Sequence, residues 1–335
     1  MNNTNRRRHL VSGGIAGVVS VLLLIGVGWV YFNSQYVADT ISYWTYQPST
    51  VVAAIDERVD FTDKGTFYFY VTHPEIADAS SFNQDCPRQE ANNPILGCYA
   101  MDRVYIYDIT NQALDGIEEV TAAHEMLHAV WSRMDDQQKN DLTALLMDDY
   151  KTIDSVDLRE RIAYYERHEP GELANELHSI LATEVASLTP ALEEYYQQYF
   201  EDRQKVVALH EQYDRLFQDL KNQANQLYEE LDALSRQITA DSEAYNNAVN
   251  ELEADIVSFN QQAAAGGFTS QAAFQASRSS LIARSNALDA QRAAINQAID
   301  TYNQKYQEYQ QIGQEIEALN KSIDSFTAPQ EAPSL

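Results

Sequence analysis

Apolar residues recur in alternating steps of three and four along much of the C-terminal half, which predicts long amphipathic helices with heptad seams. Gly266 and Gly267 separate two such stretches, so we predict an antiparallel helical hairpin over residues 190–327 with its turn near 263–269. A parallel coiled coil between chains is the alternative, and residues 328–335 are predicted to form a disordered tail. The first seam comprises Tyr213, Phe217, Leu220, Ala224, Leu227, Leu231, Leu234, Ile238, Tyr245, Ala248 and Leu252. The second, which Gly313 interrupts, comprises Leu281, Leu288, Ile295, Ile299, Tyr302, Tyr306, Tyr309, Ile316, Leu319, Ile323 and Phe326.

Residues 33–189 mix short apolar runs with turn signals, which is typical of one compact domain. Residues 103–109 alternate as a half-buried strand should, and Thr66–Val71 is a second strand candidate. The stretch between them, which contains Ser80–Asn83, is predicted to be loop. An apolar stripe at helical spacing follows, on Val120, Ala123, Leu127 and Trp131, and Asp115 with Glu118 resembles a capping box before it. The predicted fold class is α+β, mostly α.

The N-terminal segment carries the longest apolar run. Residues 10–32 contain no charged residue, and three arginines, Arg6, Arg7 and Arg8, precede them. This length and charge pattern predicts a transmembrane helix with residues 1–9 in the cytoplasm and the body on the extracytoplasmic side of the cell membrane. Four aromatic residues fit an interfacial belt, which favours a retained anchor over a cleaved signal peptide; they are Trp29, Tyr31, Tyr36 and Trp44.

The helical stripe contains an HExxH sequence, from His124 to His128. Residues four apart lie on one face of a helix, so both imidazoles can bind one metal ion. Glu125 lies beside them, where a carboxylate can serve as general base for a metal-activated water. The alternative is a structural helix that carries two histidines on its polar face.

Charge and cysteine content restrict the setting further. The formal net charge is −27 at pH 7, which excludes an ordinary nucleic-acid-binding surface. Cys86 and Cys98 are the two cysteines, and their spacing lacks the short interval of a zinc knuckle. We therefore predict a disulfide between them, as an oxidising compartment allows.

A catalytic zinc site needs a third protein ligand and one open position. Residues 172–184 have helical periodicity, with Glu176 at the border of the apolar stripe and Glu184 nearer its middle. A glutamate on an apolar face needs a partner or a metal, so Glu184 is the rival ligand. Periodicity alone leaves both open.

His124-Glu125-x-x-His128 followed by a helix that begins Asn175-Glu176 resembles the gluzincin class of zinc metallopeptidases, particularly the minimal gluzincins. The resemblance covers residues 100 to 190. It implies Zn²⁺ as cofactor, Glu176 as third ligand, and a helical hairpin within residues 135–168 that begins near Asp135 and Ser155.

The chain departs from that class one turn after Glu176, where Ile180 replaces a carboxylate that supports a zinc-bound histidine. Glu184 or Asp149 is expected to supply that support. An oxyanion donor is also needed, and the candidates are Tyr164, Tyr165 and His168.

These features predict a membrane-anchored, extracytoplasmic zinc metalloendopeptidase with a peptide or protein substrate, in which Glu125 is the general base. The alternative is a cell-surface coiled-coil scaffold with a structural or inactive metal site. In either case the hairpin is a candidate surface for a protein partner or for self-association.

Overall fold

The structure is a computed structural model that describes residues 20–87, 94–168 and 171–326, without the side chains of Asp157 and His168. The chain divides into two compact units. The first comprises Met1–Asp214 together with Lys321–Leu335, and the second comprises Arg215–Asn320. The predicted cytoplasmic tail, residues 10–19 of the predicted membrane helix and the predicted disordered tail lie outside the described residues.

Helices make up most of the first unit, as predicted. Ten of its described helices precede the long C-terminal pair. They are α1 Ser20–Phe32, α2 Ser34–Thr45, α3 Thr50–Val59, α4 Asp63–Val71, α5 Ala79–Asp85, α6 Ile117–Ser132, α7 Asp136–Thr152, α8 Val156–His168, α9 Leu173–Glu184 and α10 Pro190–Tyr196.

No single helix among the described residues is long and apolar enough to cross a membrane. Helices α1 and α2 together have the length and apolar composition of a membrane span, but the chain bends by 81° between them.

A small three-stranded sheet lies beside the helices, formed by β1 Glu75–Ala77, β2 Gly97–Ala100 and β3 Arg103–Tyr107. Strand β3 is central, parallel to β1 and antiparallel to β2, so β2 is an edge strand. The predicted strand at residues 103–109 is confirmed over Arg103–Tyr107 and ends two residues earlier than predicted. The prediction of loop between Thr66–Val71 and residues 103–109 is wrong in part, because β1, α5 and β2 lie within that stretch.

The predicted strand Thr66–Val71 is wrong, since these residues belong to helix α4. The Thr62 side chain accepts a hydrogen bond from the Gly65 N–H and caps the helix. Gly65 also lets α4 approach the chain closely, because a Cβ there would lie 2.2 Å from the carbonyl oxygen of Tyr199. Tertiary packing thus overrides the aromatic alternation of this segment.

Helix α6 confirms the predicted helical stripe but begins differently from the prediction. Gly116 is its N-cap, with φ of +97°, a left-handed conformation that glycine adopts without strain. The predicted capping box is wrong: Asp115 pairs with Arg58, and Glu118 accepts a hydrogen bond from the Ile109 N–H.

Helices α7 and α8 lie within residues 135–168, where a helical hairpin was expected, and each packs against α9. Asp135 caps α7 in a capping box with Gln138, and Ser155 caps the first turn of α8 by accepting from the Leu158 N–H. Helix α9 then packs against α6 around the main core, in which Leu127 and Leu177 are fully buried.

The second unit consists of most of two long helices, α11 Arg203–Ala264 and α12 Gln271–Ile323. Lys305 pairs with Glu230, and Arg284 pairs with Asp255, so the helices run antiparallel within one chain. The break between them at residues 265–270 agrees with the predicted turn. This arrangement excludes the parallel alternative for this pair of helices.

The predicted seam is correct in its outline and wrong in detail. Leu231, Leu252 and Ile295 are buried, whereas Ile299 and Tyr306 are 38% and 44% exposed. Helix α12 also continues through Gly313.

Candidate metal centre

Helix α6 presents His124 and His128 on one face, one turn apart. Their ring centroids are 4.7 Å apart and the ring planes are steeply inclined, at 78°. The side chains are 21% and 11% exposed, so both rings are only partly accessible from outside the first unit.

Helix α9 brings Glu176 to the two histidines. One carboxylate oxygen is 3.7 Å from His124 Nε2 and the other is 3.6 Å from His128 Nε2. Two ligands at about 2.1 Å from a tetrahedral ion are separated by roughly 3.4 Å. The two measured oxygen–nitrogen distances are close to that value, and the three ligand atoms all lie within 4.8 Å of one another, so the set could hold one metal ion.

Asn175 fixes the orientation of His128. Its side-chain oxygen lies 2.9 Å from His128 Nδ1, and because that oxygen only accepts, Nδ1 carries the proton. The lone pair of His128 then lies on Nε2, the nitrogen 3.6 Å from Glu176, in the tautomer that a metal-binding histidine requires. The Asn175 amide in turn donates to Glu172 at 3.0 Å, and the Ser179 hydroxyl lies 3.4 Å from the same His128 nitrogen.

Glu184 and Asp149, the two carboxylates expected to support a zinc-bound histidine, have other partners in the structure. Asp149 accepts hydrogen bonds from the backbone N–H and the hydroxyl of Thr189. Glu184 pairs with Arg161 and lies 3.5 Å from His210 Nε2. Arg161 and His210 thus balance the charge of Glu184. Among the described residues, Glu184 is not part of the group that could bind a metal, so Glu176 rather than Glu184 is the candidate third ligand.

Glu125 is buried against the edge strand β2. A Cβ on Gly97 would lie 2.9 Å from Cγ of Glu125 and 3.0 Å from its Oε1, so the glycine makes room for the carboxylate. The Tyr99 N–H donates a hydrogen bond to it. Burial raises the pKa of Glu125 to about 7, although the His128 ring and the Tyr99 hydrogen bond lower it. A carboxyl with that pKa can accept a proton and return it near neutral pH.

Glu176 is held in its ionised form. Burial raises its pKa, but the hydrogen bond with His124, the charges that both histidines carry when protonated and a hydrogen bond from Tyr165 outweigh that effect and bring the pKa to about 2. A carboxylate that stays ionised is a ready metal ligand.

The three candidate oxyanion donors differ in their position relative to Glu176. Tyr165 lies beside Glu176 through that hydrogen bond. Tyr164 packs edge-to-face on Tyr165, with ring centroids 5.9 Å apart. The side chain of His168 lies outside the described residues.

Two buried residues on or against helix α9 were not identified from the sequence. His178 is fully buried, packs against Trp131, and lies with Nε2 3.0 Å from the Tyr195 hydroxyl. Arg203, at the start of α11, binds the C-terminal end of α9. The contacts of both residues are with parts of the chain that are distant in sequence, so the local periodicity of each helix could not predict their roles.

The predicted disulfide between Cys86 and Cys98 is confirmed. It joins the residue after α5 to β2, and Cys98 lies between Gly97 and Tyr99, the two residues of β2 that contact Glu125.

Comparisons with protein-family models, with curated proteins and with solved structures found no match to this chain.

Proposed function

We propose that the protein is a zinc-dependent metallopeptidase whose site is formed by His124, His128 and Glu176, with Glu125 as general base. The observation that carries the proposal is the convergence of a carboxylate from α9 on two histidines of α6, at the spacing of ligands around one ion. Two imidazoles and a carboxylate with one position open suit zinc.

In this mechanism, each residue near the zinc would have a distinct role. When bound, zinc would supply the positive charge that acidifies water and polarises a peptide carbonyl. Glu125 accepts the proton of the attacking water and passes it to the leaving amine, a role that fits its burial and its raised pKa. Asn175 keeps His128 in the tautomer that binds metal.

The edge strand supports a peptide as the substrate class. The Tyr107 N–H donates to the Leu96 carbonyl, so by antiparallel alternation the backbone groups of Gly97 and Tyr99 point away from β3, to an edge on which no other described strand pairs. The Tyr99 N–H donates to Glu125, so the backbone groups of Gly97 and the Tyr99 carbonyl are the ones that a peptide would meet. An extended peptide can pair with such an edge and lie beside Glu125.

The deciding experiment compares metal content and peptide-library cleavage in the parent chain and in Glu125→Gln. We expect the variant to keep stoichiometric zinc and to lose activity by on the order of 10²- to 10⁴-fold, because the general base is removed and the ligands remain. His128→Ala should lose both zinc and activity. Glu160→Gln, an exposed carboxylate on α8, is the matched control and should change neither.

A parent chain that binds no zinc when zinc is supplied would contradict the proposal. Full activity in Glu125→Gln would equally contradict it.

Tyr165 is the oxyanion donor that we favour, because its hydroxyl lies beside a metal ligand. Tyr165→Phe should lower kcat by on the order of 10²-fold with zinc content unchanged. Tyr164→Phe serves as the control on the neighbouring residue, and equal losses in the two variants would remove this assignment.

A further inference from the structure

The C-terminal end of the ligand helix α9 is held by one side chain from α11. Arg203 Nη1 donates to the carbonyls of Val185 at 2.7 Å, Ala182 at 3.0 Å and Leu181 at 3.4 Å. Its Nη2 donates to the Ala186 carbonyl at 3.1 Å. These carbonyls belong to the last turn of α9 and the residues directly after it, which have no partner within the helix.

Glu193 completes this arrangement. Its carboxylate accepts from Nε of Arg203 at 3.0 Å and forms a second, short contact with Nη2. All five N–H groups of the guanidinium therefore have acceptors, and the side chain is only 4% exposed. Lysine cannot reproduce this set, because an ammonium has three donors and no planar fork.

The other end of α9 carries Asn175 and Glu176, the support and the third ligand of the metal centre. A helix of 12 residues is a stiff element, so a shift or rotation at its C-terminus moves these side chains relative to α6. Metal coordination tolerates deviations of only about 0.2 Å in ligand distance.

We propose that Arg203 is a positioning residue for the metal centre: it fixes α9 against α6 and thereby sets the affinity for zinc. The inference rests on the proposed metal site. It also makes the first turn of α11 a component of that site, although α11 supplies none of the three ligands.

The test measures the zinc dissociation constant of the full chain by competition with a chromophoric chelator, alongside the Tm of the metal-free protein. Arg203→Gln should weaken zinc binding at least tenfold and Arg203→Lys to a smaller extent. Glu193→Gln leaves the carbonyl contacts in place and should weaken zinc binding by threefold or less.

Phe82→Leu is the control for general destabilisation. Phe82 is fully buried in a separate small core cluster with Ala77, Cys86, Tyr105 and Tyr107, so the variant should lower Tm and leave the dissociation constant within twofold of the parent.

The proposal is overturned if Arg203→Gln, or Arg203→Lys where the glutamine variant does not fold, lowers Tm and leaves zinc affinity within twofold of the parent. It is also overturned if Phe82→Leu weakens zinc binding as much as the arginine variants do. A parent chain that binds no zinc is a different outcome, because it rejects the metal site itself.

Discussion

At the scale of single residues, the metal centre combines groups that the sequence predicts with groups that it does not. The positions of His124, Glu125 and His128 follow from helical periodicity, which is a local property. Asn175 was recognised only as the residue before the ligand, because its bond to His128 joins residues 47 apart in the chain. Glu184 has the apolar-face position of a ligand, yet its charge is taken by Arg161, which periodicity cannot foresee.

Asn175 offers a direct test of the support that it gives to His128. Asn175→Ala should weaken zinc binding by about 10- to 100-fold, since the proton on Nδ1 loses its acceptor. Asn175→Asp keeps an acceptor and should bind zinc within a few-fold of the parent. Calorimetric titration with zinc measures both variants, and equal affinity in the alanine variant and the parent would show that His128 does not need this bond.

At the scale of elements, α6 and α9 supply the ligands and β2 supplies the wall around Glu125. Helices α6 and α9 were predicted from their apolar stripes, which are a local property of the sequence. Helices α7 and α8, which begin at the caps Asp135 and Ser155, were expected from the family resemblance. Helix α4 was mistaken for a strand because its aromatic residues alternate. Strand β2 was missed because it has four residues and depends on β3 and on Cys98 for its place.

The disulfide should stabilise the fold and leave the metal ligands untouched. Cys86→Ser combined with Cys98→Ser should lower the free energy of unfolding by about 3 kcal/mol, the value expected for a closed loop of this size. Zinc content should be unchanged, because the ligands lie on α6 and α9. Urea denaturation with elemental analysis measures both quantities, and loss of zinc in the double variant would show that β2 also supports the ligands.

At the scale of the whole molecule, the chain forms a first unit of helices with a small sheet and a second unit of two antiparallel helices. The heptad pattern predicted the long helices and the turn, because each helix buries one stripe against its neighbour in the same chain. The heptad pattern wrongly predicted that Ile299 and Tyr306 are buried. A regular repeat in the sequence need not coincide with the helix face that packs against the neighbouring helix.

Ile295 and Ile299 form a matched pair for testing this assignment. They are the same residue type, four positions apart on α12, and are 8% and 38% exposed. Ile295→Gln should destabilise the second unit by about 2 kcal/mol or more, and Ile299→Gln by less than about 1 kcal/mol. Thermal unfolding followed by circular dichroism compares them, and a larger effect at Ile299 would contradict the observed pairing of the helices.

The first unit is discontinuous along the chain, and this has a consequence for biosynthesis. Asn83 exchanges hydrogen bonds with Ser325, at 2.6 Å and 3.0 Å, and Asn111 donates to Ser322 at 3.1 Å. The ribosome makes residues 20–214 first and must then complete more than a hundred residues of the second unit before Ser322 and Ser325 exist. The unit that carries the candidate metal ligands therefore acquires its last contacts only after both long helices have been synthesised.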